Sequence, residues 1–419
     1  MSRPDLLFEY ITKGLENLLI ISMKKYLLFI TILPALLFAT GCNRNQLPAW
    51  KEGYLDIHSI NTGRGECTFY ILPDGTTMLI DAGEFSTNTN VHPLVPQKPD
   101  SLTRPSATYA RYIKHFLPRQ AQGAIDYVLL THFHMDHMGR IEADYATHPE
   151  GNYVKTGLSA LCEEIPYRKV VDRIWPDYDS VRNEIGGKEG LANWKKYMDF
   201  GVSEGKIKAE RFEIGSSSQF VLSHHPERYP SFRIQNQASN GWFWDGEKAV
   251  DAFDGKIRRE NASSCCLLLS YGDFDWYAGG DCADRKIEVP IARSVGRRIE
   301  AMKSNHHLSW HTMDTLTLAV LQPRVIVSQS FYSHQPDVPV LETNIYSDKA
   351  YTGDKSLYFT NIHPYTLEVM PSLAEKAASL SGHVVIRVAP GGKSFKVYIL
   401  KDTDFSFEIK SVSDTYTCQ

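Results

Sequence analysis

The chain has 419 residues, 42% of them hydrophobic and 22% charged, with a formal net charge of −4. This composition excludes a disordered or fibrous chain and leaves enough apolar material for a buried core without covalent staples. The mild acidity excludes a global positive field, so nucleic acid is a partner that charge does not favour.

Residues 1–22 precede a second methionine, Met23, and read as a start-site artefact outside the fold. From Met23 the chain runs "MKKYLLFITILPALLFATGC", two lysines followed by an apolar stretch and small residues. Residues 23–42 therefore predict a secretory signal peptide. The apolar stretch is short for a bilayer-spanning helix and contains Pro34. Its end resembles a bacterial lipobox, which implies that Cys42 is lipidated and that the protein is exported and held to an envelope membrane by the anchor. The six other cysteines show no paired C-x-x-C spacing, which argues against a zinc knuckle, and the sequence does not pair them into disulfides.

Residues 43–53 read as a tether to one domain over 54–410. "YLDIHSI", "CTFYIL" and "TMLIDAG" are expected strands, parted by Gly-containing turns. "SATYARYIKHFL" has helical spacing of Tyr109, Ile113, Phe116 and Leu117, and "AIDYVLL" is a buried strand. Residues 151–205 read as a helical, aromatic-rich insertion, with Trp175, Tyr178, Trp194 and Tyr197 as its own core. "SQFVLSHHP" reads as a strand, and "SSCCLLLSYGDFDWYAGGDC" as strand, turn and strand. "RKIEVPIARSVGRRIEAMKSNHH" is expected to be mostly helix, "PRVIVSQS" a strand, and "GHVVIRVAPGGKSFKVYIL" two strands around a Gly-Gly turn. Strands in runs with helices between them predict a layered α/β domain.

The chemistry concentrates in "LLTHFHMDHMG", where His132, His134, Asp136 and His137 fall within six positions behind an apolar run. Residues two apart in an extended segment point the same way, so His132 and His134 can share one ion while Asp136 and His137 face a second. Imidazole with carboxylate suits Zn²⁺, Mn²⁺ or Fe, and zinc is the first expectation. Two ions about 4 Å apart need a shared ligand. Asp281, in "YAGGDC" at a strand exit, is the expected bridge. "SNHHLSWH" offers His306, His307 and His311, and one of the first two is expected to complete an ion.

"THFHMDHMG" matches the H-x-H-x-D-H signature of the metallo-β-lactamase fold. "NTGRGE", "ENASSCCLLLSYGDFDWYAGGD", "MKSNHHLSWH" and "SFYSHQP" resemble in turn the blocks of one branch of it, the hydrolase domain of ComEC-type competence proteins. The resemblance spans 54–400 and implies a four-layer αββα sandwich with the site along one sheet edge. It also implies two divalent metal ions: one on His132 and His134, the other on Asp136 and His137, with Asp281 bridging. His307 is the implied terminal ligand, with His306 as the alternative. Asp136 and His334 are the implied catalytic residues, His334 as proton donor or phosphate contact.

Three features depart from the branch or from the wider fold. Glu66 stands where the branch carries aspartate, Ser333 where it carries glycine, and no histidine stands close ahead of Asp281. His224, His225 and Asn261 are the residues available for that last position. The implied activity is hydrolysis by a metal-bridging hydroxide of a phosphodiester or other phosphoester, small or polymeric, in the cell envelope. Hydrolysis of a lactone or β-lactam is the second expectation, and it requires the additional histidine. A non-catalytic surface binding protein is the third.

Overall fold

The computed structural model describes residues 45–84, 93–180, 188–256 and 259–419. The chain divides into two compact units, Met1–Gln46 and Leu47–Gln419, and every element below belongs to the second. Cys42 and the signal segment lie outside the described residues. Among the described residues no helix is long and apolar enough to cross a membrane.

The first sheet holds β1 (Leu55–Ser59), β2 (Thr68–Ile71), β3 (Thr77–Ile80), β4 (Ile125–Leu129), β5 (Tyr167–Asp172) and β6 (Lys208–Arg211). The second is built from β7 (Phe232–Ser239), β8 (Trp242–Trp244), β9 (Ala249–Asp251), β10 (Cys266–Tyr271), β11 (Phe274–Ala278), β12 (Ala301–Lys303), β13 (Val325–Gln329) and β14 (Ser356–Asn361). The chain then returns to the first sheet with β15 (His383–Val388), β16 (Ser394–Leu400), β17 (Ile409–Val412) and β18 (Tyr416–Thr417). The first sheet runs β17-β16-β15-β1-β2-β3-β4-β5-β6 with β18 on β16, and the second β14-β13-β12-β11-β10-β7-β8-β9.

Side-chain alternation builds the layers. In β3, Met78 and Ile80 enter the core between the sheets, while Leu79 points outward. In β10, Leu267 and Leu269 face inward and Leu268 outward. Such period-two strands are apolar on both faces and need a covering layer on each side. The outer layer on the first sheet is α1 (Pro105–Phe116), α3 (Gly157–Glu164) and α4 (Lys188–Ser203), and that on the second includes α5 (Arg285–Val295) and α6 (Thr315–Leu321). The one-turn α2 (Met135–Met138) lies at the site. The result is the four-layer αββα sandwich. α1 shows the helix logic plainly: Pro105 opens it, and Tyr109, Tyr112 and Ile113 bury one stripe.

Four expectations are corrected. Residues 151–205 contain β5, which pairs parallel with β4 and β6, so this stretch continues the sheet. Residues 218–225 form no strand although Phe220 and Leu222 are buried there, because Ser223 N–H donates to Thr76 Oγ1 and not to a neighbouring strand. The end of the expected long helix is β12. The tether is packed from Leu47 onward, with Pro48 O accepting from Arg387, and the compact unit extends past 410 through β18.

A buried polar network ties β1 to the returning β15. Arg387 clamps Asp56 with two hydrogen bonds of 2.8 and 2.6 Å, His58 Nδ1 lies 3.0 Å from Tyr112 Oη, and His383 Nδ1 accepts from Asn61 N–H at 3.0 Å. His383 is a neutral acceptor, and burial, with His58 and Lys410 adding to it, pulls its pKa down to about 3. The unfolded chain therefore binds a proton that the native state refuses, and this stability is present above about pH 6.5 and lost as the pH falls toward 3. Urea unfolding should show roughly 2 kcal/mol less stability at pH 5 than at pH 7 from this group. His383→Gln should flatten that slope, and an unchanged slope would remove His383 as its source.

Candidate metal centre

The site lies where the carboxyl ends of strands from both sheets meet. Asp81 follows β3, His132 follows β4, Asp281 follows β11, His306 and His307 follow β12, and Phe331 follows β13. Crevices at the carboxyl ends of parallel strands leave backbone and side chains free to converge.

The turn holding the histidine cluster is fixed by backbone contacts. Glu66 N–H donates to Asp136 O at 2.8 Å, Ala82 N–H to His137 O at 2.9 Å and Gly83 N–H to Glu66 O at 2.8 Å. A Cβ on Gly83 would lie 1.8 Å from Asp136 O, so only glycine permits this approach. Gly139, at φ 100°, ends α2.

Two groups of ligating atoms share one carboxylate. Glu66, His137, Asp281 and His307 form one, and His132, His134 and Asp281 the other, each with its atoms within 4.8 Å of one another. Asp281 Oδ2 is 3.1 Å from His137 Nε2, 3.2 Å from His307 Nε2 and 3.8 Å from His132 Nε2. Asp136 Oδ2 is 3.4 Å from His307 Nε2 and 3.7 Å from His137 Nε2, which attaches it to the first group. His132 Nε2 and His134 Nδ1 face each other at 3.0 Å.

The outer nitrogens are already engaged. His137 Nδ1 meets Asp81 Oδ2 at 2.7 Å, His307 Nδ1 meets Gln329 O at 2.9 Å, and His132 Nδ1 meets Thr131 Oγ1 at 3.1 Å. Thr131 Oγ1–H in turn donates to Asp81 Oδ2 at 2.8 Å. Such outer contacts fix the ring and turn Nε2 inward as a lone pair. The Nε2 atoms of His137 and His307 and Oδ2 of Asp281 are buried and make no hydrogen bond among the described residues. Buried polar atoms are ordinarily satisfied, so this convergence fits cations coordinated between them.

The electrostatics agree. Burial raises the Asp136 carboxyl, but the imidazoles of His137 and His307 outweigh it and hold it down at about 2. Asp281 is likewise held well below the carboxylate range by His137, His307, His306 and Lys303 against the cost of burial. Burial lowers His307, yet Asp281, Asp136 and Glu66 lift it to about 9. A pocket of buried carboxylates demands positive charge, which imidazole protons or divalent ions can supply.

Among the other expected residues, His306 Nε2 lies 3.9 Å from Asp281 Oδ2 and 3.0 Å from Asn261 Nδ2, at the edge of the second group. His224 and His225 are not brought to the site. Their N–H groups donate to Asp74 Oδ2 in the β2–β3 turn, at the other end of β3 from Asp81, so neither supplies the additional ligand. His334 stacks on Tyr332 with centroids 5.3 Å apart. Burial and the Asp136 carboxylate raise the Tyr332 phenol, which joins His334 to the site at one remove.

Sequence reasoning passed over Asp81, Thr131 and Lys303 as site residues. Lys303 Nζ lies 2.9 Å from Glu66 Oε2 and 3.5 Å from Asp281 Oδ1, and donates to Gly280 O at 2.5 Å. The aspartate ending "TMLIDAG" and the lysine of "MKSNHH" were the available signals.

The fold and site thus define a class: an αββα sandwich whose facing strand ends carry two groups of metal-ligating side chains around one shared aspartate. No family model matches the chain, and no curated protein matches it. Among solved structures, the crystal structure of unliganded yeast PDE1 aligns over 79% of this chain and 98% of that one, at 11% identity and a TM-score of 0.33. Similarity at that level carries no functional assignment.

Proposed function

We propose that the chain is a metal-dependent hydrolase of a phosphodiester or other phosphoester. The observation that carries this reading is the pair of ligand groups meeting at Asp281, with unbonded Nε2 atoms directed inward. In this reading His132 and His134 hold one divalent ion, Asp136, His137 and His307 hold the other, and Asp281 is common to both. Bound there, two ions would supply Lewis-acid polarisation and a water of near-neutral pKa. Asp81, Thr131 and the Gln329 carbonyl keep the imidazoles in the ligating tautomer. Lys303 with Glu66 balances the buried charge behind Asp281. His334 is the proposed donor to the leaving oxygen or phosphate contact, with His306 on Asn261 as the alternative.

The motif resemblance to the hydrolase domain of ComEC-type proteins supports the phosphoester reading. So does the placement of His224 and His225 away from the site, since lactone or β-lactam hydrolysis was expected to need a histidine there. From residues 23–42 we further propose export as a lipoprotein anchored through Cys42.

Metal analysis of the purified protein should find two divalent ions per chain. The protein should hydrolyse bis(p-nitrophenyl) phosphate in preference to nitrocefin or a lactone, and a chelator should abolish turnover that added zinc or manganese restores. Absence of bound metal, or preference for nitrocefin, would overturn the reading. Mass spectrometry of the mature N-terminus checks the anchor, and an unlipidated Cys42 rules it out.

A further inference from the structure

Beside the proposed metal centre opens a cleft of about 910 Å³, with Asn261 and His306 on the wall nearest the site. Trp310 also lines it and is 52% exposed although it is the largest type of apolar side chain. Trp310 rides on the segment that carries His306 and His307, and that segment is held in an unusual shape. His306, His307, Leu308, His311 and Met313 all have φ between 46° and 62°. Left-handed conformations cost non-glycine residues energy and persist only where the surroundings impose them. Here Glu288 imposes it, accepting from Asn305 Nδ2 at 2.6 Å and from the N–H groups of Met313 and Asp314 at 3.1 Å each. One clamped segment therefore presents the imidazoles to the site and the indole to the cleft at a fixed separation.

The charges around the indole describe what it meets. Arg259 and Arg285 stand against Asp284, Asp314 and Asp337, a balance that favours neither a polyanion nor a cation. Two of the carboxylates are already oriented by the helices they cap. Asp284 Oδ1 accepts from Lys286 N–H at 2.8 Å and Asp314 Oδ1 from Leu316 N–H at 2.9 Å. Guanidinium donors together with a surplus of carboxylate acceptors suit a ligand whose polar groups both donate and accept and which is rich in donors. Each hydroxyl of a sugar ring does both and rotates to suit its partner, whereas a nucleobase holds its donors and acceptors at fixed edge positions.

We propose that this cleft binds a neutral sugar ring, stacked on Trp310 and hydrogen-bonded by the surrounding carboxylates and guanidiniums. Resting on the phosphoester reading, the ring is the alcohol portion of the substrate, and the clamped segment sets its distance from the phosphorus. The substrate class is then a sugar-bearing phosphoester.

The cleft can be tested without metal or turnover. Ligand-observed saturation-transfer NMR with methyl α-D-glucopyranoside should show transfer to the ring protons from the wild-type protein. Trp310→Ala should reduce it about fivefold and Trp310→Phe should keep most of it. Thymidine and tetramethylammonium should show weaker transfer than the glucoside. No Trp310-dependent transfer to the glucoside overturns the proposal, as does stronger Trp310-dependent transfer to thymidine or tetramethylammonium. A positive glucoside result in a protein that binds no metal would leave the cleft standing and remove only the hydrolase reading.

Discussion

Asp281→Asn should lower the bound metal from two ions per chain to one or none and reduce phosphodiester hydrolysis by roughly a thousandfold. The aspartate is 1% exposed, and its Oδ2 faces imidazole nitrogens from both ligand groups. Asparagine keeps the shape but removes the charge that both ions would share. Lys303 then retains Glu66 at 2.9 Å as its counter-ion, so the fold should survive the change. Metal analysis and near-ultraviolet circular dichroism on the same sample separate loss of metal from loss of structure. His224→Ala is the matched control, because that residue lies at the Asp74 turn, and it should leave the metal content unchanged. Two ions retained in the Asp281 variant would refute its bridging role.

The second large effect concerns Glu288, a buried carboxylate without a cation beside it among its hydrogen-bond partners. Glu288→Ala leaves three donors unsatisfied at the two ends of a strained segment and should cost about 3 kcal/mol of stability in denaturant unfolding. Metal retention should weaken with it, since His307 loses its support. Burial lifts the Glu288 carboxyl from 4.5 to about 7 against the pull of its hydrogen bonds. Between these values the native state holds a proton that the unfolded chain releases, so this contribution is full below pH 4.5 and lost as the pH rises through about 7. Glu288→Gln removes the charge and keeps one acceptor oxygen, but its amide nitrogen cannot accept and sets a donor against one of the three N–H groups. It should cost about 1–2 kcal/mol, less than alanine, and remove that slope, which is opposite in sign to the one from His383. Equal destabilisation by alanine and glutamine would show that the clamp depends on charge and not on acceptor geometry.

Much of the site was legible because its first four residues are neighbours. His132, His134, Asp136 and His137 occupy one strand exit and one helical turn, so spacing alone brings them together. Asp281 was legible as the polar residue at the end of an apolar strand. The choice between His306 and His307 was not, because it depends on a left-handed backbone that residue type does not announce. Glu66, in the loop before β2, forms an ion pair with Lys303 at the end of β12 in the other sheet, and no local pattern links such positions.

The fold shows the same division. Alternating apolar residues marked β1 to β4, β10 and β11, while β5 was hidden by Arg168 and Lys169, adjacent charged residues that point to opposite faces and pair there with Asp126 and Glu210. Residues 218–225 carried the right alternation with no strand to pair with, and Asp74 and Thr76 took their N–H groups instead.

The sequence by itself determined β1 to β4, β10, β11, β13, β15 and β16, the layered class and the local ligand cluster, because side-chain periodicity and close spacing are properties of contiguous residues. Tertiary structure alone decided that His307 and not His306 faces Asp136. It likewise decided that His224 and His225 stand apart, and that Asp81, Lys303 and Glu288 support the site. Those decisions depend on which strand ends the two sheets bring face to face, and that is set by long-range pairing and burial.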